Sequence, residues 1–216
     1  MFWEKKYEDE KYMWGEGPSE LGKITLNYLR KNKLVDEKLE ILDLGCGYGR
    51  DSFYLAKNIN CNVTGIDASE KAINLAKNTL EKIKMENVKF IKCKFEEVEG
   101  EYDIIFLSNF YQILKKNERC VIREKLKTIL ANLGLLFLST LSVNDPEHFG
   151  KGKPIAGESN SYILGTYAHF CTKNELLGDF HFLEIKELFE FEYFEPRSNG
   201  VTHHHKSWIL IGEGIY

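Results

Sequence analysis

Two hydrophobic periods alternate along the first two thirds of the chain. Runs 39–45 (LEILDLG), 61–67 (CNVTGID), 87–93 (NVKFIKC), 102–109 (YDIIFLSN) and 135–141 (LLFLSTL) are short, apolar and β-rich, which predicts buried strands. Between them the spacing becomes helical. Leu21, Ile24 and Leu29 share a face in 20–34, and Phe53, Leu55, Ala56 and Ile59 recur at helical spacing in 49–59. Ala72, Ala76, Leu80 and Ile83 mark a helix over 68–83, with Ser69 or Asp67 as its cap. Segment 117–134 reads as another helix, stopped at Gly134. Strand alternating with helix predicts an α/β fold, a parallel sheet with helices on both faces joined by right-handed crossovers.

The rhythm changes after residue 142. Segment 143–168 is glycine-rich and irregular, too long for a plain connector, and so is a candidate binding loop. Thr172 with Glu175 three residues later forms a capping box that opens a short helix. In 182–194, Leu183, Ile185, Phe189, Phe191 and Tyr193 hold odd positions against Glu184, Lys186, Glu190 and Glu192 at even ones, the pattern of a half-solvated strand. A last strand follows at 206–214 after a turn near residues 197–200, so the chain ends in an antiparallel hairpin at the sheet edge.

Composition narrows the function. The chain has 216 residues, with 29 Lys plus Arg against 33 Asp plus Glu, for a net charge of −4. That balance offers no basic footprint for nucleic acid and no polybasic signal for membrane. No apolar run reaches the roughly 20 residues of a membrane span, and the first residues lack the apolar stretch of a signal peptide. Five cysteines, odd in number and without a CxxC pair, fit a reduced, cytoplasmic protein. Nothing in the pattern fixes an oligomeric state.

The sharpest chemical signal is Asp43-Leu44-Gly45-Cys46-Gly47-Tyr48-Gly49, where the first strand meets its helix. Glycines there let the main chain turn tightly and approach a ligand closely. The spacing is GxGxG preceded by an acid, with Arg50 where a dinucleotide fingerprint has its third glycine. A carboxylate beside the turn repels pyrophosphate but suits an ammonium or sulfonium group. Asp67 closes the second strand, where a carboxylate accepts hydrogen bonds from ribose hydroxyls.

These residues resemble the class I S-adenosylmethionine-dependent methyltransferases. LDLGCGYGRDSFYLA is similar to their first motif, GIDASEKAINLA to their second, and VKFIKCKFEEV and YDIIFLSN to their third and fourth. The resemblance implies the Rossmann-like, seven-stranded methyltransferase fold. It implies a single domain over 1–216: an N-terminal lid and helix (1–37), a cofactor-binding core (38–141), and a substrate loop with terminal strands (142–216). It also implies S-adenosylmethionine as cofactor. Asp43, Gly45 and Gly47, with Cys46 between them, would line its methionine part, and Asp67 would hold the ribose. Ala68 would pack on the adenine, Phe95 and Glu96 would lie near its ring, and Ser108 and Asn109 would face the methionine or the reacting methyl. Lys94 stands where many relatives carry an aspartate.

Methyl transfer from a sulfonium is an in-line displacement, and positioning supplies much of the catalysis. The Asn/Asp-Pro-Pro-aromatic signature of nucleic-acid base methyltransferases is absent; Ser108-Asn109-Phe110-Tyr111 stands in its place. The aromatics Tyr7, Tyr12 and Trp14 form either a lid that favours the sulfonium by cation–π attraction or an anchor for the first helix. His203 and His205, alternate residues of an extended run, share a face, and His169 is placed to join them; these three are the candidate catalytic residues. They bind an anion or take a proton in an acceptor pocket, or sit in a solvated turn. No metal is expected, because no carboxylate or cysteine near them has ligand spacing. Arg197 either clamps an oxyanion or pairs with a glutamate. LDLGCGYGRDSFYLA, HFCTKNELL and THHHKSWILIGEG together also resemble the tellurite-resistance branch of small-molecule methyltransferases. That likeness implies a thiol, metalloid oxyanion or other small heteroatom as methyl acceptor. A non-catalytic S-adenosylmethionine-binding protein and a nicotinamide-dependent oxidoreductase are the alternatives.

Overall fold

The computed structural model describes residues 2–15, 17–196 and 200–215. In chain order the helices are α1 (Phe2–Asp9), α2 (Glu20–Lys31), α3 (Arg50–Asn58), α4 (Glu70–Ile83), α5 (Lys116–Ile129) and α6 (Lys173–Asp179). The strands are β1 (Leu39–Leu44), β2 (Cys61–Asp67), β3 (Val88–Lys92), β4 (Tyr102–Ser108), β5 (Leu130–Leu141), β6 (Lys153–Pro154), β7 (Ser161–Leu164), β8 (Thr166–His169), β9 (Leu183–Pro196) and β10 (Thr202–Gly214). Seven of them form one sheet in the order β3-β2-β1-β4-β5-β10-β9. The first five strands run parallel, and β10 and β9 pair antiparallel at the edge.

Alternate side chains of one strand serve two cores. Leu39 and Ile41 of β1 pack with α2, α3 and α4, whereas Leu42 and Leu44 face α5 and α6. Burial on both faces explains why these strands read as continuous apolar runs. Phe106 sits wholly buried at the centre of β4, and truncating such a side chain removes about 3–5 kcal/mol of stability. The chain leaves β1 toward β2 and β3, then returns to place β4 on the other side of β1. In open α/β sheets ligands bind in the crevice beyond the carboxyl ends of the strands at such a reversal.

Three local expectations are corrected. The helix expected over 117–134 stops at Ile129, and Leu130 already pairs with Tyr102. Gly134 is there for close approach: a Cβ would lie 3.1 Å from the Asp103 carbonyl, at a shift in the β4–β5 register. Segment 143–168 is not irregular, since β6, β7 and β8 form a small antiparallel sheet. This excursion opens and closes at one place, where the Cys171 N–H donates to Leu141 O (2.8 Å) and the Val143 N–H to Cys171 O (3.2 Å). Finally, β9 changes face midway. No β10 residue stands opposite Lys186 in the register, so Leu183, Ile185 and Leu188 face one core and Phe189 and Phe191 the other. One extra residue inverts the face of everything after it. No described helix is long and apolar enough to cross a membrane.

Candidate active site

Where β1 gives way to α3, the chain turns on three glycines with positive φ: Gly45 (+81°), Gly47 (+55°) and Gly49 (+83°). Gly45 and Cys46 both donate their N–H groups to Ile66 O at 2.9 Å, which pins the turn against β2. A Cβ on Gly45 would lie 2.3 Å from the Phe110 ring, and one on Gly47 2.6 Å from the Tyr7 hydroxyl oxygen. The turn therefore has room for main chain only.

Two carboxyl groups flank it. Asp67, at the end of β2, accepts from the Gly47 N–H (3.0 Å) and the Ser69 N–H (2.8 Å). Those bonds orient a group with further lone pairs to offer, since a carboxylate accepts about four bonds. Burial raises the Asp67 pKa, and the two N–H donors oppose the rise. Asp43 is buried deeper and accepts from the Ser52 hydroxyl. Burial first, then the nearby Asp51 charge, pushes its pKa up to about 8. A carboxyl so placed favours its protonated form near neutral pH, and a cation beside it favours the charged one.

The N-terminal segment covers this turn. Glu4 of α1 accepts from the Ser69 hydroxyl (2.6 Å) and the Lys71 N–H (3.2 Å) at the start of α4, a favourable place for an anion. The Ser69 bond is the main reason the Glu4 pKa is lowered. Trp14 stacks on Tyr48 at 6.2 Å and approaches Trp3 and Tyr7 at 6.0 Å each. Tyr48 donates to Gly15 O (2.6 Å) and Arg50 to Trp14 O (2.8 Å). Tyr12 packs edge-on against Tyr48. These aromatics anchor the segment and also form a wall, because Trp3, Tyr7 and Trp14 line the cavity over the glycine turn. Trp14→Ala is expected to weaken S-adenosylmethionine about 5–10-fold, and S-adenosylhomocysteine less, because only the former presents a charged sulfur to the ring. Parallel titrations of the two ligands check this; equal losses would reduce Trp14 to a packing group.

The cavity measures about 540 Å³. Its wall brings together Trp14, Asp43, Gly45, Cys46, Gly47, Asp67, Ala68, Phe95, Glu96, Ser108 and Asn109. Phe110 also lines it, edge-on to Phe95 at 6.2 Å. Asn109 has a positive φ of 53°, and its N–H donates to the Ser139 hydroxyl at 3.1 Å. Its Oδ1 is buried and accepts no hydrogen bond from the described residues. The Ser108 hydroxyl donates to that of Ser19 (3.2 Å).

At the far end the candidate histidines separate. His203, His204 and His205 lie inside β10 instead of preceding it. His205 lines the cavity, with its ring 5.5 Å from that of Tyr193. His203 shares its face but is not in the cavity wall, and its Nδ1 meets Glu147 Oε1 at 2.7 Å. His204 points the other way and stacks on Phe194 at 4.5 Å. His169 does not join them. Its two nitrogens meet the Ser161 hydroxyl (2.9 Å) and Glu175 (2.7 Å), so the ring ties the small sheet to α6. Arg197 and Glu16 lie outside the described residues.

Sequence reasoning did not single out Arg50, Asp145 or His148 for this end. Arg50 pairs with Glu195 at 3.6 Å, and both line the cavity. His148 also lines it, with its ring parallel to that of His205 at 5.0 Å. Asp145 stands behind both. Burial alone would raise its pKa, but donors from His148, His205 and Lys206 hold it well below the usual carboxylate range. The only local signal was Asp145-Pro146-Glu147-His148, which sets an acid three residues before a histidine.

Residues 35–184 match the methyltransferase-domain family. The chain belongs to that family. The arsenite methyltransferase of Mus musculus is 30% identical to this methyltransferase over 192 residues, which cover 76% of this chain and half of the mouse protein. A SAM-dependent methyltransferase from Methanosarcina mazei shares the fold with a TM-score of 0.70 at 21% identity, covering 86% of this chain and 97% of that one. TehB from Haemophilus influenzae does so with a TM-score of 0.65 at 20% identity, covering 87% and 61%. The sheet order with its antiparallel terminal pair is that of the class I fold. The cofactor of this methyltransferase is S-adenosylmethionine, and proteins of the same fold have been solved with it or S-adenosylhomocysteine bound.

Proposed function

We propose that this methyltransferase moves the methyl of S-adenosylmethionine to a small heteroatom nucleophile, a thiol or metalloid oxyanion, by in-line displacement. The observation that carries the reading is the cavity itself. It runs from the glycine turn to His205, and its volume of about 540 Å³ has to hold the cofactor as well as the acceptor. The small sheet contributes Leu164, Thr166, Tyr167 and Ala168 to its wall, leaving a confined space for the acceptor. The resemblance to the tellurite-resistance branch supports the same reading.

On the cofactor side, Asp67 takes the ribose hydroxyls, and Ala68, Phe95 and Glu96 flank the adenine. Asp43, the turn at Gly45–Gly47 with Cys46, and Ser108 and Asn109 receive the methionine part, with the buried Asn109 Oδ1 accepting from it. The glycine turn leaves the close approach such a ligand needs. The sulfonium supplies its own activation, so the chain aligns the acceptor and keeps water out. Incubation with thiols, tellurite, selenite, arsenite and small amines is expected to release S-adenosylhomocysteine with at least one of them. Background turnover across the whole panel would overturn the reading.

His205 serves the acceptor and not the cofactor. His205→Ala is expected to lower turnover at least about tenfold, while S-adenosylhomocysteine affinity stays within about twofold. Turnover unchanged by the substitution would make the ring structural.

A further inference from the structure

Asp145, His148 and His205 meet only in the folded chain, since His205 lies 60 residues beyond Asp145. The Asp145 side chain is fully enclosed, and main chain fixes it: Oδ1 accepts from the Glu147 N–H (3.1 Å) and the His148 N–H (2.7 Å), and Oδ2 from the Lys206 N–H (3.0 Å). His205 Nδ1 lies 3.3 Å from Asp145 Oδ2, and His148 Nδ1 lies 3.4 Å from Oδ1. One ligand-type atom from each of the three residues falls within 4.8 Å of the others. His148 Nδ1 is buried and makes no hydrogen bond. The fold thus provides the carboxylate that sequence spacing lacked.

The geometry points to a zinc-type divalent metal site formed by Asp145, His148 and His205 at the acceptor end of the cavity. Two imidazoles and one carboxylate are a ligand set of the kind zinc takes in catalytic sites, with a fourth position left open. Metal–ligand bonds of about 2.0–2.1 Å at the tetrahedral angle give a ligand–ligand edge of roughly 3.3 Å. The two nitrogen–oxygen distances are of that length, but each reaches a different oxygen of Asp145, so a single metal would take one oxygen and draw the other imidazole toward it. Magnesium and calcium favour all-oxygen shells and fit less well. The two rings lie 17° from parallel, so coordination requires one imidazole to turn about its Cβ–Cγ bond. That torsion is broad for histidine, and His148 Nδ1 already faces the Asp145 carboxylate at 3.4 Å. The overlapping trio Glu147, His148 and His203 is the poorer candidate, because Glu147 and His203 already close to hydrogen-bond length at 2.7 Å.

This assignment rests on the small-acceptor reading and specifies its chemistry. A thiol entering the open position loses its proton to solvent and becomes a metal-bound thiolate. Its sulfur then forms the new S–CH₃ bond as the methyl–sulfonium bond breaks, leaving a thioether and S-adenosylhomocysteine. A thioether is a poor zinc ligand, which favours release.

Calorimetric titration of the chelator-stripped full chain with zinc chloride is expected to show one saturable site. His148→Ala and Asp145→Asn should weaken it about 100-fold, and His203→Ala less than about threefold. Visible spectra with Co²⁺ give a second measure of four-coordinate binding. His148→Ala guards against misfolding of the Asp145 variant, and S-adenosylhomocysteine affinity on the same samples reports folding. Absence of a saturable site, or equal losses in His203→Ala and His148→Ala, would overturn the proposal. Thiol methylation is expected to stop with chelator and return with zinc. Methylation indifferent to chelator would overturn the metal role and leave the small-acceptor reading standing. A silent acceptor panel beside intact zinc binding would overturn the acceptor reading alone.

Discussion

Asp67→Ala is expected to weaken S-adenosylhomocysteine by at least about a hundredfold. Two hydrogen bonds from ribose hydroxyls to a carboxylate are each worth about 1.5–3 kcal/mol, and 1.4 kcal/mol is tenfold in affinity. The substitution also strips the Gly47 and Ser69 N–H groups of their acceptor, so the turn loosens as the ligand loses its partner. Asp67→Asn keeps an acceptor for one of these donors and should fall between alanine and wild type. Calorimetry measures all three proteins. A loss under tenfold in the alanine variant would detach Asp67 from the ribose.

Asp43→Asn is expected to act in opposite directions on stability and binding. The Asp43 carboxyl ionises near 3.8 when the chain is unfolded and at about 8 when buried in the fold. Between those values the unfolded chain gives up a proton that the folded one keeps, so Asp43 makes stability fall as pH rises from about 4 to 8. Above 8 its contribution is flat. Asparagine removes that penalty while still accepting from Ser52, and at pH 8 it should raise Tm by about 5–10 °C. It also removes the charge that receives the cofactor's cationic end, so affinity should drop at least about tenfold. In the wild type, binding displaces the Asp43 proton, so affinity should climb with pH toward 8, and the variant should lose that slope. Melting curves and titrations at pH 6, 7 and 8 test both halves. A Tm that falls, or a slope that persists, would contradict this account of Asp43.

Sequence patterning alone located much of the architecture. The strand expected at 61–67 is built at Cys61–Asp67, and Ser69 caps α4 through its hydroxyl, because burial on two faces and a capping side chain leave local marks. The terminal hairpin was legible for the same reason. What escaped was set by contacts distant in sequence. The face change at Lys186 depends on how β9 meets β10, and odd–even counting within one strand cannot register it. The small sheet of 153–169 escaped because its strands are two to four residues long and set among glycines. In the site, every residue proposed to touch the cofactor lines one cavity, because most stand at or just after strand ends, while Trp14 arrives from the segment between α1 and α2. The histidines divided because His169 is taken up by Ser161 and Glu175, while His205 meets an aspartate from a remote loop.

The clasp joining Leu141, Val143 and Cys171 has an evolutionary corollary. A detour whose entrance and exit are stitched to each other places little strain on the strand it leaves. Changes at its outer turns leave the register of β5 alone, whereas Asp145, Glu147 and His169 tie its interior to β10 and α6. Under the proposed reading, variation at those turns would adjust the acceptor pocket from one side while His205 on β10 holds the other.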